Sequence, residues 1–298
     1  MNTIAEQAEH LTQILCGELF KALGFSRDGM LAKLLAPFAR KPIHSFSQIA
    51  AGFDQQVKEH GFQAASQWIL PNFVIGVDIL TMPEVPRRGP LLVTSNHPGA
   101  YDTLVITANI PRDDIKIIVN IPLDFIQELP ETRKHFLYAP REAYTRMGVV
   151  RQAIRHLKSG GALLVFSSGG IDPDPAHMAG SEAAIQRWSR SLEIFTRMVP
   201  DTQVLISVVS GILTPKYIHH PLTHLRKPRP DKQRISEFLQ VMNQMLRPGN
   251  YVQQPQVSFA MPFAGSSLEG SHGHPFSMEY LQEQTRQLLK DHLNQLVG

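Results

Sequence analysis

The chain has 298 residues, 43% of them hydrophobic and 18% charged, the proportions of a globular protein with room for one large or two modest domains. Its 29 basic and 26 acidic side chains leave a formal net charge of +3, which suits anionic partners such as phosphates or a lipid surface but lacks the basic excess of a nucleic-acid binder, so no nucleic-acid partner is expected. Cys16 is the sole cysteine, which excludes an intramolecular disulfide framework and fits a reducing, cytoplasmic setting.

The first twenty residues carry acids early and have no apolar core after a basic start, unlike a secretory signal. Apolar stretches such as Val204 to Leu213 fall well short of the roughly 20 residues a membrane helix needs. A soluble or peripheral protein is expected.

Residues 1–71 read as a small all-α N-terminal domain, or as a helical cap packed on the domain after it. Ile4, Ala8, Leu11, Leu15, Leu19 and Leu23 recur at helical spacing, and Gly24 stops them. Asp28 to Ala39 repeats the pattern, ended before Pro42. Ser45 to His60 starts at a serine N-cap and ends at Gly61. Gln63 to Leu70 is a fourth helix, ended by Pro71. Trp68 and Trp188 read as core residues.

From residue 72 the texture changes, and 72–298 reads as an α/β domain. Strands are expected at Phe73–Leu80, Leu91–Thr94, Ile115–Val119, Ala162–Phe166, Val204–Val209 and Gln256–Phe259. Helices are expected at Tyr101–Asn109, Met147–Lys158, Glu182–Met198, Ser236–Leu246 and Ser277–Leu296. The alternation implies a mixed, mainly parallel sheet covered by helices on both faces. Sites in such sheets lie at the carboxyl ends of strands.

Two polar elbows follow strands directly. The first is SNHPGAYD, Ser95 to Asp102. On a continuous helix His97 and Asp102 would point about 140° apart. Pro98 and Gly99 break the helix, so His97 can fold back and Asp102, in a helix's first turn, can take an imidazole N–H. No serine but Ser95 stands near as a nucleophile, so the pair reads as a base for a substrate hydroxyl. A loop histidine and a helix-start aspartate with no joint role is the alternative. The second elbow is FSSGGIDPDP, Phe166 to Pro175, whose glycines and successive amides suit an anion or an oxyanion, or make an ordinary strand exit.

NHPGAYD followed by FSSGGIDPDP and the apolar VLISVVSGI resembles the glycerolipid acyltransferase superfamily with its H-x4-D motif. SSGGIDPDP is similar to the PSGGRDRP segment of soluble, plastid-type glycerol-3-phosphate acyltransferases. The resemblance covers about residues 72–213. It implies that a fatty-acyl group passes from acyl-CoA or acyl carrier protein to the hydroxyl of a glycerol-phosphate or lysophospholipid-type acceptor, within phospholipid biosynthesis. His97 is then the base and Asp102 its partner. Asn96, Gly99, Ser167, Ser168, Gly169 and Gly170 line the substrate. The two arginines that hold the acceptor's phosphate in the plastid type are Ile171 and Pro173 here. Arg141 and Arg146, with Arg151, are substitute cations. No cofactor beyond the acyl co-substrate is implied. Peripheral contact with the inner face of a membrane is implied by a lipid product. The altered second motif keeps a non-catalytic acyl- or lipid-binding protein open, and Ser95 or Ser168 a thioester hydrolase.

His219, His220 and His224 invite a metal reading, but Pro221 interrupts them and no carboxylate or cysteine stands at ligand spacing, so no metal is expected. Lys216, Arg226, Lys227, Arg229, Lys232 and Arg234 make the same segment basic, either as a solvated run or, in an acyltransferase, as a receiver of the phosphates of coenzyme A, an acidic carrier protein or anionic lipid heads. His272 and His274 read as a glycine-rich loop.

Overall fold

The computed structural model describes residues 3–22, 30–99, 101–120, 124–139, 143–267 and 278–297. Gly24, Asp28, Arg141, His272 and His274 lie outside them. In chain order the elements are α1 (Ile4–Ala22), α2 (Met30–Ile69), β1 (Asp78–Thr81), β2 (Leu91–Ser95), α3 (Asp102–Asn109), β3 (Lys116–Val119), α4 (Asp124–Gln127), β4 (Phe136–Tyr138) and α5 (Ala143–Lys158). After them come β5 (Ala162–Phe166), α6 (Ser181–Ile185), α7 (Ser191–Met198), β6 (Gln203–Ser210), α8 (Pro215–Ile218), α9 (Arg229–Leu246), β7 (Gln256–Phe259), β8 (Phe263–Ala264) and α10 (Met278–Val297).

The fold is α/β. Strands run β1-β7-β6-β2-β5-β3-β4 across one sheet, with β8 paired to β6. Among the described residues only the β6–β7 and β6–β8 pairs are antiparallel. Central β2 is parallel to β5 on one side and β6 on the other, with Ser95 level with Phe166 and Ser207. Side chains alternate faces along a strand. Leu91, Val93, Leu164, Leu205 and Val209 enter one core with residues of α2, α3 and α9. Leu92, Leu163, Val165, Val204 and Ile206 enter the other with residues of α5, α7 and α10. Helices thus cover both faces, as the strand–helix alternation implies.

This topology makes the crevice. The chain leaves β2 through α3 on one face and heads for β3. It leaves β5 through α6 and α7 on the other face and heads for β6. Neighbouring exits therefore diverge, and the gap between them is a switch point where α/β sheets bind ligands. At the opposite edge Arg112 gathers the strand entrances. Its guanidinium, buried, donates to Gly89 O (2.9 Å), Gly160 O (2.6 Å) and the Asp114 carboxylate (2.7 and 2.8 Å).

The helical region differs from expectation. One helix runs through Pro37 and Pro42 where two were expected, and its dihedrals break only at Gly61 (φ 86°). Ser45 does not cap: its hydroxyl donates back to Lys41 O at 3.2 Å inside the running helix. The break at Gly61 is capped from afar, since Asp113 Oδ1 accepts the Gln63 N–H at 3.0 Å. A Cβ at Gly61 would stand 2.4 Å from that oxygen. Phe53, Val57, Phe62 and Ala65 of α2 share one apolar core with the sheet.

Other boundaries also move. Phe73 to Val77 is not strand, because the Phe73 and Val74 N–H groups close on Leu70 O and pairing with β7 begins at Asp78. The helix expected over Glu182–Met198 is two, α6 and α7, because the Ser189 N–H between them bonds Ser167 O at 2.8 Å. α9 starts seven residues before Ser236. Trp188 is buried, but Trp68 is 43% exposed, so it is not core. No helix of the described residues is long and apolar enough to cross a membrane.

His292 on α10 is fully buried between the hydroxyls of Ser210 (2.7 Å) and Ser258 (2.8 Å). Burial pushes its pKa down to about 4. The unfolded chain, with an ordinary histidine near 6.5, takes up the proton first, so stability is full above that value and falls as pH drops towards about 4. Denaturant unfolding should show about 2 kcal/mol lost between pH ~7 and ~5 from this group, and His292→Gln should flatten the slope.

Candidate active site

The elbow after β2 is held by its own side chains. The Asn96 amide pairs both ways with Val209 at the end of β6, donating to its carbonyl (2.8 Å) and accepting its N–H (2.9 Å). Gly99 is buried against Ile212, where a Cβ would come within 2.6 Å of the isoleucine methyl. The elbow therefore lies flat on the β6 exit only with glycine there.

Asp102 opens α3 with no exposure. Its Oδ2 accepts the Gly99 N–H at 3.1 Å and meets His97 Nδ1 at 2.7 Å. The expected fold-back is present, since His97 lies outside the helix. Its ring stacks on Phe166 of β5, centroids 4.4 Å apart and planes at 30°. The side chain is 30% exposed, and Nε2 has no protein partner among the described residues. The carboxylate on Nδ1 assigns the proton there and leaves Nε2 as the basic nitrogen of the neutral ring.

The second elbow mostly satisfies itself. The Ser167 hydroxyl is buried against that of Thr94. Gly169 sits at φ 68°, its N–H closing on Phe166 O (3.0 Å) and its carbonyl taking Asn120 Nδ2 (2.7 Å). Ser168 Oγ donates to Gly170 O at 2.8 Å. The Gly169 amide is thus spent inside the turn, and Gly170 is exposed.

The chemistry sits one step further on, in residues that the sequence motifs do not single out. Asp172 Oδ2 accepts the His97 N–H at 3.0 Å, and the Asp172 N–H donates to His97 O at 2.7 Å. Asp174 Oδ1 accepts the Gly211 N–H (2.9 Å) and Oδ2 that of Leu213 (3.0 Å). Exits of β2, β5 and β6 are stitched together by these two carboxylates. Burial raises both pKa values, opposed by the N–H bonds each accepts. The signal was legible in D-P-D-P: prolines fix the backbone and offer no N–H, which leaves the acids free for N–H groups of other loops, although Asp174 Oδ1 also takes the nearby Ala176 N–H at 3.1 Å.

α9 lays a polar stripe over the crevice. Gln233 Nε2 donates to Pro98 O (2.6 Å) and Asp172 O (2.8 Å). Gln240 Nε2 donates to Ile212 O (2.7 Å) and Tyr101 Oη (3.0 Å). Between them on the same face comes Glu237, whose Oε1 is buried with no hydrogen-bond partner among the described residues. Burial raises the Glu237 pKa to about 8 against the pull of His97. Burial lowers the His97 pKa, but the charge and hydrogen bond of Asp102, then the charges of Glu237 and Asp172, carry it up to about 9.

The structure brings His97, Asp102, Asn96 and Gly99 together with the Ser167–Gly170 turn. Arg151 is exposed on α5 and Arg146 stands in the first turn of that helix. Ser95 Oγ is fully buried and points to Ser207 O at 3.2 Å.

Proton titration of His97 by NMR should give a midpoint near 9. Asp102→Asn should lower it most and Glu237→Gln should lower it as well. An unmoved midpoint in Glu237→Gln would show that the glutamate does not act on the ring.

No family model matches the chain, and no curated protein matches it in sequence. Among solved structures it is similar to the 1-acyl-sn-glycerophosphate (LPA) acyltransferase, PlsC, from Thermotoga maritima, at 14% identity and a TM-score of 0.43, over 99% of this chain and 95% of that one.

Proposed function

We propose that this protein is an acyltransferase that moves a fatty-acyl group from acyl-CoA or acyl carrier protein to the hydroxyl of a glycerol-phosphate or lysophospholipid-type acceptor. The observation that carries the reading is the His97–Asp102 pair: a half-open imidazole at a switch-point crevice, bonded at 2.7 Å to a fully buried carboxylate, with Nε2 unengaged by protein among the described residues. That is a base with its orienter in place and no protein hydroxyl to activate.

In this reading Nε2 takes the acceptor's hydroxyl proton as the oxygen attacks the thioester carbonyl. Asp102 stabilises the imidazolium. The carbon–sulfur bond breaks, an ester is left, and the imidazolium proton passes to the departing thiolate. Ser95 and Ser168 give the hydrolase alternative no support, since their hydroxyls are turned to Ser207 O (3.2 Å) and Gly170 O (2.8 Å). The product is a lipid, so the protein works in phospholipid biosynthesis in peripheral contact with a membrane, on its cytoplasmic side.

Pure protein incubated with acyl-CoA and a panel of acceptor alcohols should give new esters by mass spectrometry. His97→Ala should cut the rate by about 10²–10⁴-fold with an unchanged circular dichroism spectrum. A variant keeping most of its activity would sink the mechanism. Only the neutral ring is a base, so kcat/KM should climb with pH towards a His97 midpoint of about 9.

A further inference from the structure

The acyl-transfer reading leaves the acceptor's phosphate without a partner. Ile171 and Pro173 stand where arginines were expected, and three acids, Asp102, Asp172 and Glu237, act on His97. A phosphate beside the imidazole would meet those acids. It must be held at a distance from them.

A pocket of about 200 Å³ opens where α8, the turn at 221–225 and the first turns of α9 meet. Its wall carries His219, His224, Arg229 and Lys232 and no carboxylate. None of these four has an ion-pair partner among the described residues. Asp172 acts on Arg229 through its charge from outside the wall, and a wall with four basic side chains and no acid forms an anion site.

Arg229 is fixed in advance. One nitrogen donates to Gln233 Oε1 at 2.5 Å and another to Ile171 O at 2.6 Å, which leaves further N–H groups of its five for a ligand. Gln233, 1% exposed, also lines the pocket and is itself held by Pro98 O and Asp172 O. A pinned guanidinium gives up little freedom on binding. The same glutamine bonds the residue after His97, so pocket and base share one wall.

Size narrows the ligand. Sites for drug-sized molecules run from about 300 Å³ upward, so the pocket takes a head group and not a whole nucleotide coenzyme. We propose that the pocket of His219, His224, Arg229 and Lys232 binds the phosphate monoester of the acceptor and so hangs its hydroxyl towards His97. Cation recognition has moved from the β5 exit loop to the segment after β6 and the first turn of α9. The assignment of the anion to the acceptor rests on the acyl-transfer reading. The existence of the anion site does not.

Calorimetry on His97→Ala protein separates the two. Inorganic phosphate and glycerol 3-phosphate should bind, and glycerol should not. Lys232→Ala should weaken glycerol 3-phosphate binding at least ten-fold, and Arg229→Ala with Lys232→Ala should abolish it. Lys232→Gln, which keeps the helix surface, covers the case in which loss of Arg229 unfolds the loop at Ile171. In the active enzyme Lys232→Ala should raise KM for a phosphorylated acceptor about ten-fold and leave KM for acyl-CoA where it was. Phosphate binding unchanged in the Lys232 variants overturns the site. A rise in KM for acyl-CoA in place of the acceptor overturns the assignment to the acceptor. Phosphate binding lost in the variants of a protein that transfers no acyl group would leave the site standing and remove the acyl-transfer reading instead.

Discussion

Everything at the crevice depends on the paired backbone bonds between His97 and Asp172, N–H to carboxylate at 3.0 Å and N–H to carbonyl at 2.7 Å. The sheet topology sends the exits of β2 and β5 to opposite faces, so nothing in the strands themselves holds the two loops together. A buried carboxylate is costly to desolvate unless N–H groups repay it. Asp172 and Asp174 are repaid by N–H groups from the exits of neighbouring strands. Each loop therefore satisfies a group that another loop has buried, and none can move without stranding a charge. Arg112 plays the reverse role at the entrances, a buried cation satisfied by the carbonyls before β2 and β5 and by the Asp114 carboxylate.

The stitching of the exits also sets the electrostatics. The imidazole meets Asp102 through Nδ1, feels the charges of Glu237 and Asp172, and stacks on Phe166. Burial alone would strip it of its proton. The acids reverse that and hold the proton harder than water does. A base of this strength deprotonates an alcohol better once it is neutral, but is neutral less often at pH ~7. Glu237 is the adjustable member, because its own burial raises it to about 8, close to the histidine it acts on. Such a pair titrates as a unit.

Sequence reaches as far as local signals do. Near-continuous apolar runs in β2, β5 and β6 mark the central sheet, because each strand buries both faces. His97 and Asp102 were legible because Pro98 and Gly99 stand between them. Asp113 capping Gln63 was not, with fifty residues separating the cap from its helix. Nor was the split between α6 and α7, which comes from a bond to Ser167 in the other elbow. α9 is the instructive case. It buries Gln233, Ser236, Gln240 and Gln244 at helical spacing, while Phe238 and Leu246 face outward at 42% and 50% exposure. A pattern search for an apolar stripe turns this helix inside out. The periodicity was there in the polar residues, and Gln233, Gln240 and Gln244 each find a partner more than a hundred residues away, at Pro98, Tyr101 and Phe73.

The same helix explains why Ile171 can stand where a cation was expected. What the fold uses at that position is the carbonyl, which accepts from Arg229 at 2.6 Å. A backbone oxygen is present whatever the side chain, so position 171 is released from carrying charge. The charge arrives from α9, on a guanidinium whose place is set by the loop it would otherwise have had to grow from. Pro173 fits the same division of labour: it stands between two aspartates that accept N–H groups from other loops, and it brings no N–H of its own to compete for them. The departure from the arginine pattern is therefore coherent. The loop has become a scaffold of acceptors, and the helix that packs against it supplies the donors.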